Sequence, residues 1–258
     1  MVASGKGLLA ADESSGTNKK RFDSIGLEST ADSRRDYREM LFRSEDAMKN
    51  YISGVILYDE TIRQNAKDGT SLVQIMQAAG CIPGIKVDAG AKPLAGFPGE
   101  AVTEGLDGLR ERLAEYYKLG ARFSKWRAAI AISDGLPTWG AVKQNAQALA
   151  RYAALCQEAG IVPIVEPEVL MDGTPGNHSI ERCYEVSEWV LKTVFTELYD
   201  ARVVLEGMIL KPNMVVAGQK TQKPSVEQVA EQTVRLLKST VPSAVPGIAF
   251  LSGGQTEE

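Results

Sequence analysis

The chain has 258 residues, 44% of them hydrophobic and 24% charged, a balance that excludes a disordered protein and supplies enough apolar surface for a sizeable core. A net charge of −4 gives no overall field favouring nucleic acid or an anionic membrane, so an anionic substrate needs a local group of Lys and Arg. The single histidine, His178, and three scattered cysteines without CxxC spacing argue against a histidine-rich zinc site and against the usual Ser-His or Cys-His pairs.

In chain order, short apolar runs recur at residues 7–11, 54–58, 84–87, 122–126, 162–165, 205–210 and 248–251. None alternates with polar residues, which predicts parallel strands buried on both faces. Amphipathic stretches separate them. Residues 107–119 place Leu109, Leu113 and Tyr116 on one helical face, residues 142–158 and 226–237 behave likewise, and Ser225 is a predicted N-cap. Seven βα periods without a linker predict one (β/α) barrel domain over residues 1–258 rather than a doubly wound sheet. No apolar stretch approaches the roughly 20 residues a membrane helix needs, and Met1–Ser4 is too short for a targeting peptide. Cys81, Cys156 and Cys183 read as buried thiols, His178 as a surface loop residue, and Trp126 as core or rim.

Six of the seven runs end in, or lead straight into, a reactive residue: Asp12, Asp88, Lys125, Glu166, Lys211 and Ser252. Barrel active sites lie at the C-terminal ends of the strands, so these side chains are candidates for one site. Lys211 closes an apolar run, where it fits either a salt-bridged rim lysine or an amine nucleophile. With a free pKa of about 10.4 the nucleophile needs desolvation or a neighbouring cation, and Lys125 is a candidate for the latter. Glu166 and Glu168 share one face of a strand, as a proton-shuttling pair or as structural partners of Lys and Arg. Asp12 is a base or a helix cap. Ser252-Gly253-Gly254 offers backbone N–H groups to an anion, or forms a plain turn. Ser14, Thr17, Lys20 and Arg21 crowd after the first run, and Lys86 and Arg127 end the third and fourth, a basic set suited to a substrate with a phosphate at each end.

Together the segments GKGLLAADES, GVILYDET, PGIKVD, EGLDGL, FSKWR, ARYAALCQEAGIVPIVEPE, LEGMILKPNM and FLSGGQ, in this order, resemble class I fructose-1,6-bisphosphate aldolases over nearly the whole chain. The resemblance implies a TIM barrel that forms a lysine Schiff base and needs no metal or other cofactor. Lys211 would attack the substrate C2 carbonyl, and Lys125 and Glu166 would assist dehydration to the iminium. Glu168 would hold the lysine pair, and Asp12 would take the C4 hydroxyl proton as the C3–C4 bond breaks. Ser252 and Gly253 would bind one phosphate and Ser14, Thr17 and Lys86 the other, with Lys20, Arg21 and Arg127 at the mouth. A phosphorylated sugar as substrate, no nucleic-acid or membrane partner, a cytoplasmic location and a homotetramer follow in the same way. The family's helix before the first strand, its eighth strand and its C-terminal tail are not in this sequence, so the chain reads as a barrel truncated at both ends relative to the family, and Ala89 stands where the family usually has Lys. A transaldolase-like lyase and a catalytically silent phosphosugar-binding barrel are the other readings.

Overall fold

A computed structural model describes residues 1–170 and 176–250 of the chain. In order, the elements are β1 (Gly7–Ala11), α1 (Ser15–Asp23), α2 (Ala31–Phe42), α3 (Glu45–Tyr51), β2 (Ile52–Leu57), α4 (Asp59–Ile62), α5 (Leu72–Ala78) and β3 (Ile82–Lys86). There follow β4 (Ala91–Pro93), β5 (Ala101–Thr103), α6 (Leu109–Lys118), β6 (Phe123–Ala131), α7 (Trp139–Glu158), β7 (Val162–Leu170), α8 (Ile180–Asp200), β8 (Ile209–Leu210) and α9 (Val226–Thr240). They divide between two compact units, Met1–Val87 with Arg110–Lys125 and Ala159–Ile161, and Asp88–Leu109 with Trp126–Glu158 and Val162–Glu258.

In the first unit β1, β2, β3 and the opening residues of β6 pair in parallel, in that order. The register sets Gly84 opposite Phe123 and Lys86 opposite Lys125. Phe123 is fully buried, and its ring fills the space that side chains at Gly54 and Gly84 would occupy. A Cβ on Gly54 would lie 2.8 Å from Phe123 Cε1, so both glycines are there for room rather than for backbone freedom. The α2 helix starts with a capping box between Thr30 and Ser33, which satisfies two of its otherwise orphaned N–H groups. Its Arg34 grips Glu60 of α4 with two parallel bonds, Nε to Oε1 at 2.8 Å and Nη2 to Oε2 at 2.6 Å.

That hydrogen-bonded guanidinium holds the Glu60 carboxyl below the usual carboxylate range. A depressed carboxylate contributes stability above its unfolded pKa, near about 4.3, and loses it as pH falls through the folded value. Glu60→Gln is therefore expected to lower the unfolding free energy at pH 7 by about 1 kcal/mol, an amount discounted because the pair is part-exposed. Urea denaturation of both proteins should show that difference closing on acidification below the normal carboxylate range.

In the second unit β7 and β8 pair in parallel, Ile164 opposite Ile209 and Val165 opposite Leu210, and β4 and β5 form an antiparallel hairpin. Trp126 is fully buried, as expected, with its ring 5.5 Å from that of Tyr152, whose hydroxyl donates to the Ile164 carbonyl at 3.2 Å. The three cysteines are buried, and none forms a disulfide. Burial pushes the Cys81 and Cys183 thiols up, away from reactive thiolates.

Several expected elements change. The run at 205–210 is a strand only at its last two residues, because Leu205–Gly207 form a 3-10 turn held by Gln157 of α7, whose Nε2 donates to the Val204 carbonyl at 2.7 Å. Of the run at 248–251, Ile248 makes an isolated parallel bridge to Leu210 and Leu251 lies outside the described residues. The β6 and β7 strands run several residues beyond the expected ends. His178 is the clearest correction: it is 7% exposed rather than a surface residue. The segment after β8 lies over it, with Gly218 N donating to the His178 carbonyl at 2.9 Å and Lys220 N to that of Gly176 at 2.9 Å. Burial lowers the imidazole pKa, so the ring is neutral at pH 7.

Candidate active site

In the first unit Asp12 follows β1 directly, and Lys125 sits on β6. Both are nearly buried, and their Oδ2 and Nζ atoms are 2.7 Å apart. Lys86, the last residue of β3, lies beside Lys125 in the ladder, so two lysines and one carboxylate sit on neighbouring strands. Ser14 is the N-cap of α1: its Oγ accepts from Thr17 N at 3.3 Å and lies 3.1 Å from Thr17 Oγ1. That places both hydroxyls and the free N–H groups of a nine-residue helix's first turn at one point. Lys20 and Arg21 are exposed in the last turn of α1, and Arg21 is paired with Glu13.

In the second unit Lys211 follows β8, its amide donating to the Val165 carbonyl at 2.8 Å. Its ammonium is hydrogen-bonded to Glu166 Oε1, with the lysine 6% and the glutamate 1% exposed. A buried amine in contact with a buried carboxylate has a proton acceptor in place and is shielded from water, which is what a lysine nucleophile requires. Glu168, two residues on, is bonded instead to Arg127 on β6, and that pair is substantially more exposed. The two carboxylates thus serve different partners: Glu166 is tied to Lys211, and Glu168 holds the guanidinium of Arg127 on β6. Ser252 and Gly253 lie outside the described residues.

Three residues beyond the expected set support these pairs. Asn213, two residues after Lys211, accepts from Val169 N through Oδ1 at 3.0 Å and donates from Nδ2 to Ser187 Oγ at 3.0 Å. It therefore anchors the turn that carries the lysine to both β7 and α8. Arg38 bonds the carbonyl of Glu13, the residue after Asp12, and lies near its carboxylate. A polar residue following Lys-Pro was the one visible signal for Asn213; Arg38 had none, because α2 is polar along most of its length. Among the described residues no three His, Cys, Asp and Glu side chains are grouped to hold a metal ion, and no helix is long and apolar enough to cross a membrane.

Comparison with known proteins agrees with this geometry. Residues 1–258 match the family model for glycolytic fructose-bisphosphate aldolase class-I. A probable fructose-bisphosphate aldolase class 1 of Xanthomonas axonopodis pv. citri (strain 306) is 59% identical over 259 residues, covering 100% of this chain and 76% of that protein. The cytoplasmic isozyme of fructose-bisphosphate aldolase from Spinacia oleracea is 54% identical over 254 residues, covering 98% of this chain and 70% of the relative. Among solved structures, fructose-bisphosphate aldolase of Plasmodium falciparum, in complex with TRAP and a small-molecule inhibitor, superposes with a TM-score of 0.93 at 48% identity, over 98% of this chain and 73% of that one. The fold class is accordingly an α/β TIM barrel of which the parallel strands above form part. With nearly every residue matched at such identity, the chain belongs to the class I fructose-bisphosphate aldolase family.

Proposed function

We propose that the chain catalyses reversible aldol cleavage of fructose 1,6-bisphosphate to dihydroxyacetone phosphate and glyceraldehyde 3-phosphate through a Schiff base on Lys211. The observation that carries the reading is the buried Lys211–Glu166 pair at the end of β8, in a chain of this family. The Lys211 amine, having passed a proton to Glu166, adds to the C2 carbonyl. Glu166 and Lys125 then shuttle the protons by which the carbinolamine loses water and becomes an iminium. Asp12 takes the C4 hydroxyl proton, the C3–C4 bond breaks, and its electron pair flows into the iminium to give an enamine as the aldehyde leaves. Protonation at C3 and hydrolysis release dihydroxyacetone phosphate and restore the amine. The iminium is the electron sink, so the step needs no Lewis acid and no cofactor. Ser252 and Gly253 take one phosphate, and Ser14, Thr17 and Lys86 the other at the α1 N-terminus. Arg127, Lys20 and Arg21 add positive charge at the mouth, with Glu168 holding Arg127 in place. By relation to the cytoplasmic isozyme, we place the protein in the cytoplasm and assign it the homotetramer of its family.

Borohydride reduction in the presence of dihydroxyacetone phosphate, followed by intact mass measurement and peptide mapping, tests the reading. One adduct on Lys211 is expected; an unmodified, folded protein would refute the Schiff base. Excess EDTA is expected to leave the cleavage rate unchanged, and a chelator-sensitive rate would contradict the metal-free mechanism.

A further inference from the structure

Arg38 of α2 has no exposed surface, yet it makes few of the bonds its guanidinium offers. Its Nη2 donates to the Glu13 carbonyl at 2.6 Å. The Glu13 carboxylate lies 3.8 Å from Nη2 and the Glu60 carboxylate 3.9 Å from Nη1. The Tyr58 ring centroid is 5.9 Å from the guanidinium carbon. Nε and Nη1 have no hydrogen-bond partner among the described residues. A buried cation satisfied this sparsely is a poor stability device, since an apolar side chain of similar volume often does as well or better. What Arg38 touches explains it better. The accepting carbonyl belongs to the residue directly after Asp12, and Ser14 beyond it caps α1. The segment 12–14 is thereby held at three successive residues: Asp12 by Lys125, the Glu13 carbonyl by Arg38, and Ser14 by the first turn of the helix.

We propose that Arg38 is a positioning residue for carbon–carbon bond cleavage, fixing the backbone beside Asp12 so that its carboxylate meets the C4 hydroxyl. The inference rests on the Schiff-base reading above. Burial pushes the guanidinium pKa down while the Glu13, Glu60 and Asp12 carboxylates oppose that shift, so the charge is retained and its field reaches the Asp12 carboxylate. Arg38 acts on one half-reaction only. Imine formation at Lys211 does not use the C4 hydroxyl, whereas cleavage does.

Arg38→Met and Arg38→Lys separate the two steps. Arg38→Met is expected to lower kcat for fructose 1,6-bisphosphate cleavage by about 10–100-fold, the effect of a misplaced base, with KM unchanged. Its borohydride-trapped adduct with dihydroxyacetone phosphate should form within about twofold of the wild-type rate, and Arg38→Lys should recover part of the lost kcat. A merely structural arginine would depress both readouts together, through a smaller folded fraction. Wild-type kcat in Arg38→Met, equal loss of cleavage and trapping in a folded variant, or failure of both variants to fold would overturn the proposal. The wild-type control keeps the two claims apart: no adduct there counts against the Schiff base, whereas a normal adduct with undiminished cleavage in Arg38→Met counts against Arg38 alone.

Discussion

Lys211→Ala is expected to abolish cleavage, with kcat down by about 10⁴-fold or more, the scale seen when a covalent nucleophile is removed. The borohydride adduct should vanish with it. Lys125 is not expected to take over, because it is itself bonded to Asp12 and a nucleophile needs the reacting carbon within near-attack distance. The substitution also leaves Glu166 buried without its lysine. Losing one partner of a buried pair costs up to about 3–5 kcal/mol, less where the carboxylate takes up a proton. Lys211→Met keeps the apolar stem and is expected to behave identically in activity while melting closer to wild type. Circular dichroism, the coupled cleavage assay and the trapping experiment together check the result. Turnover like that of wild type in a folded Lys211→Ala protein would remove the covalent mechanism.

Gly84→Ala is expected to produce a large loss of stability through a single added methyl group. Local preference points the other way, since alanine in place of glycine within a strand gains about 0.5–1 kcal/mol by lowering the entropy of the unfolded chain. Packing decides the sign. A Cβ at Gly84 would stand 2.6 Å from Phe123 Cδ2, with two further ring carbons closer still, and the ring is itself fully buried. Overpacking of this kind costs about 1–3 kcal/mol, or roughly 2–12 °C in Tm for a protein of this size. Phe123→Ala alone removes the ring and should cost about 3–5 kcal/mol. Combined with Gly84→Ala it should cost less than the sum, because the added methyl enters the space the ring vacates. Thermal melts of the two single variants and the double variant check this, and strict additivity would show that the ring and the strand do not compete for space.

Apolar runs marked β1, β2, β3, β6 and β7 in the sequence; β2 is buried along nearly its whole length as such a run predicts, whereas β1 leaves Gly7 and Ala10 exposed. Lys211 stood out because it closes such a run, although the run alone fits a salt-bridged rim lysine as well as a nucleophile. The misses share a cause. The β4–β5 hairpin has three-residue strands, one of them fully exposed, so it carries no periodicity. The 3-10 turn before β8 is imposed by Gln157, far away in the chain. His178 sits in a Gly/Pro-rich stretch that reads as surface, and the segment around Gly218, some forty residues on, lies over it. Glu166 and Glu168 looked like one pair by alternation, yet each follows the cation that the fold brings to it, Lys211 or Arg127. Residue types and spacing show which groups a site has available. Which partner each group takes depends on contacts made across long sequence separations.

The shortness of β8 bears on how this scaffold tolerates redesign. A two-residue ladder cannot by itself hold a reacting amine to sub-ångström tolerance, and the bonds of Asn213 to Val169 and Ser187 supply the missing rigidity from a single side chain. Gln219, Lys220, Gln222 and Lys223 are exposed beyond Asn213, so a library that varies those four side chains changes surface without shifting the nucleophile. A library that includes Asn213 moves the reaction centre itself.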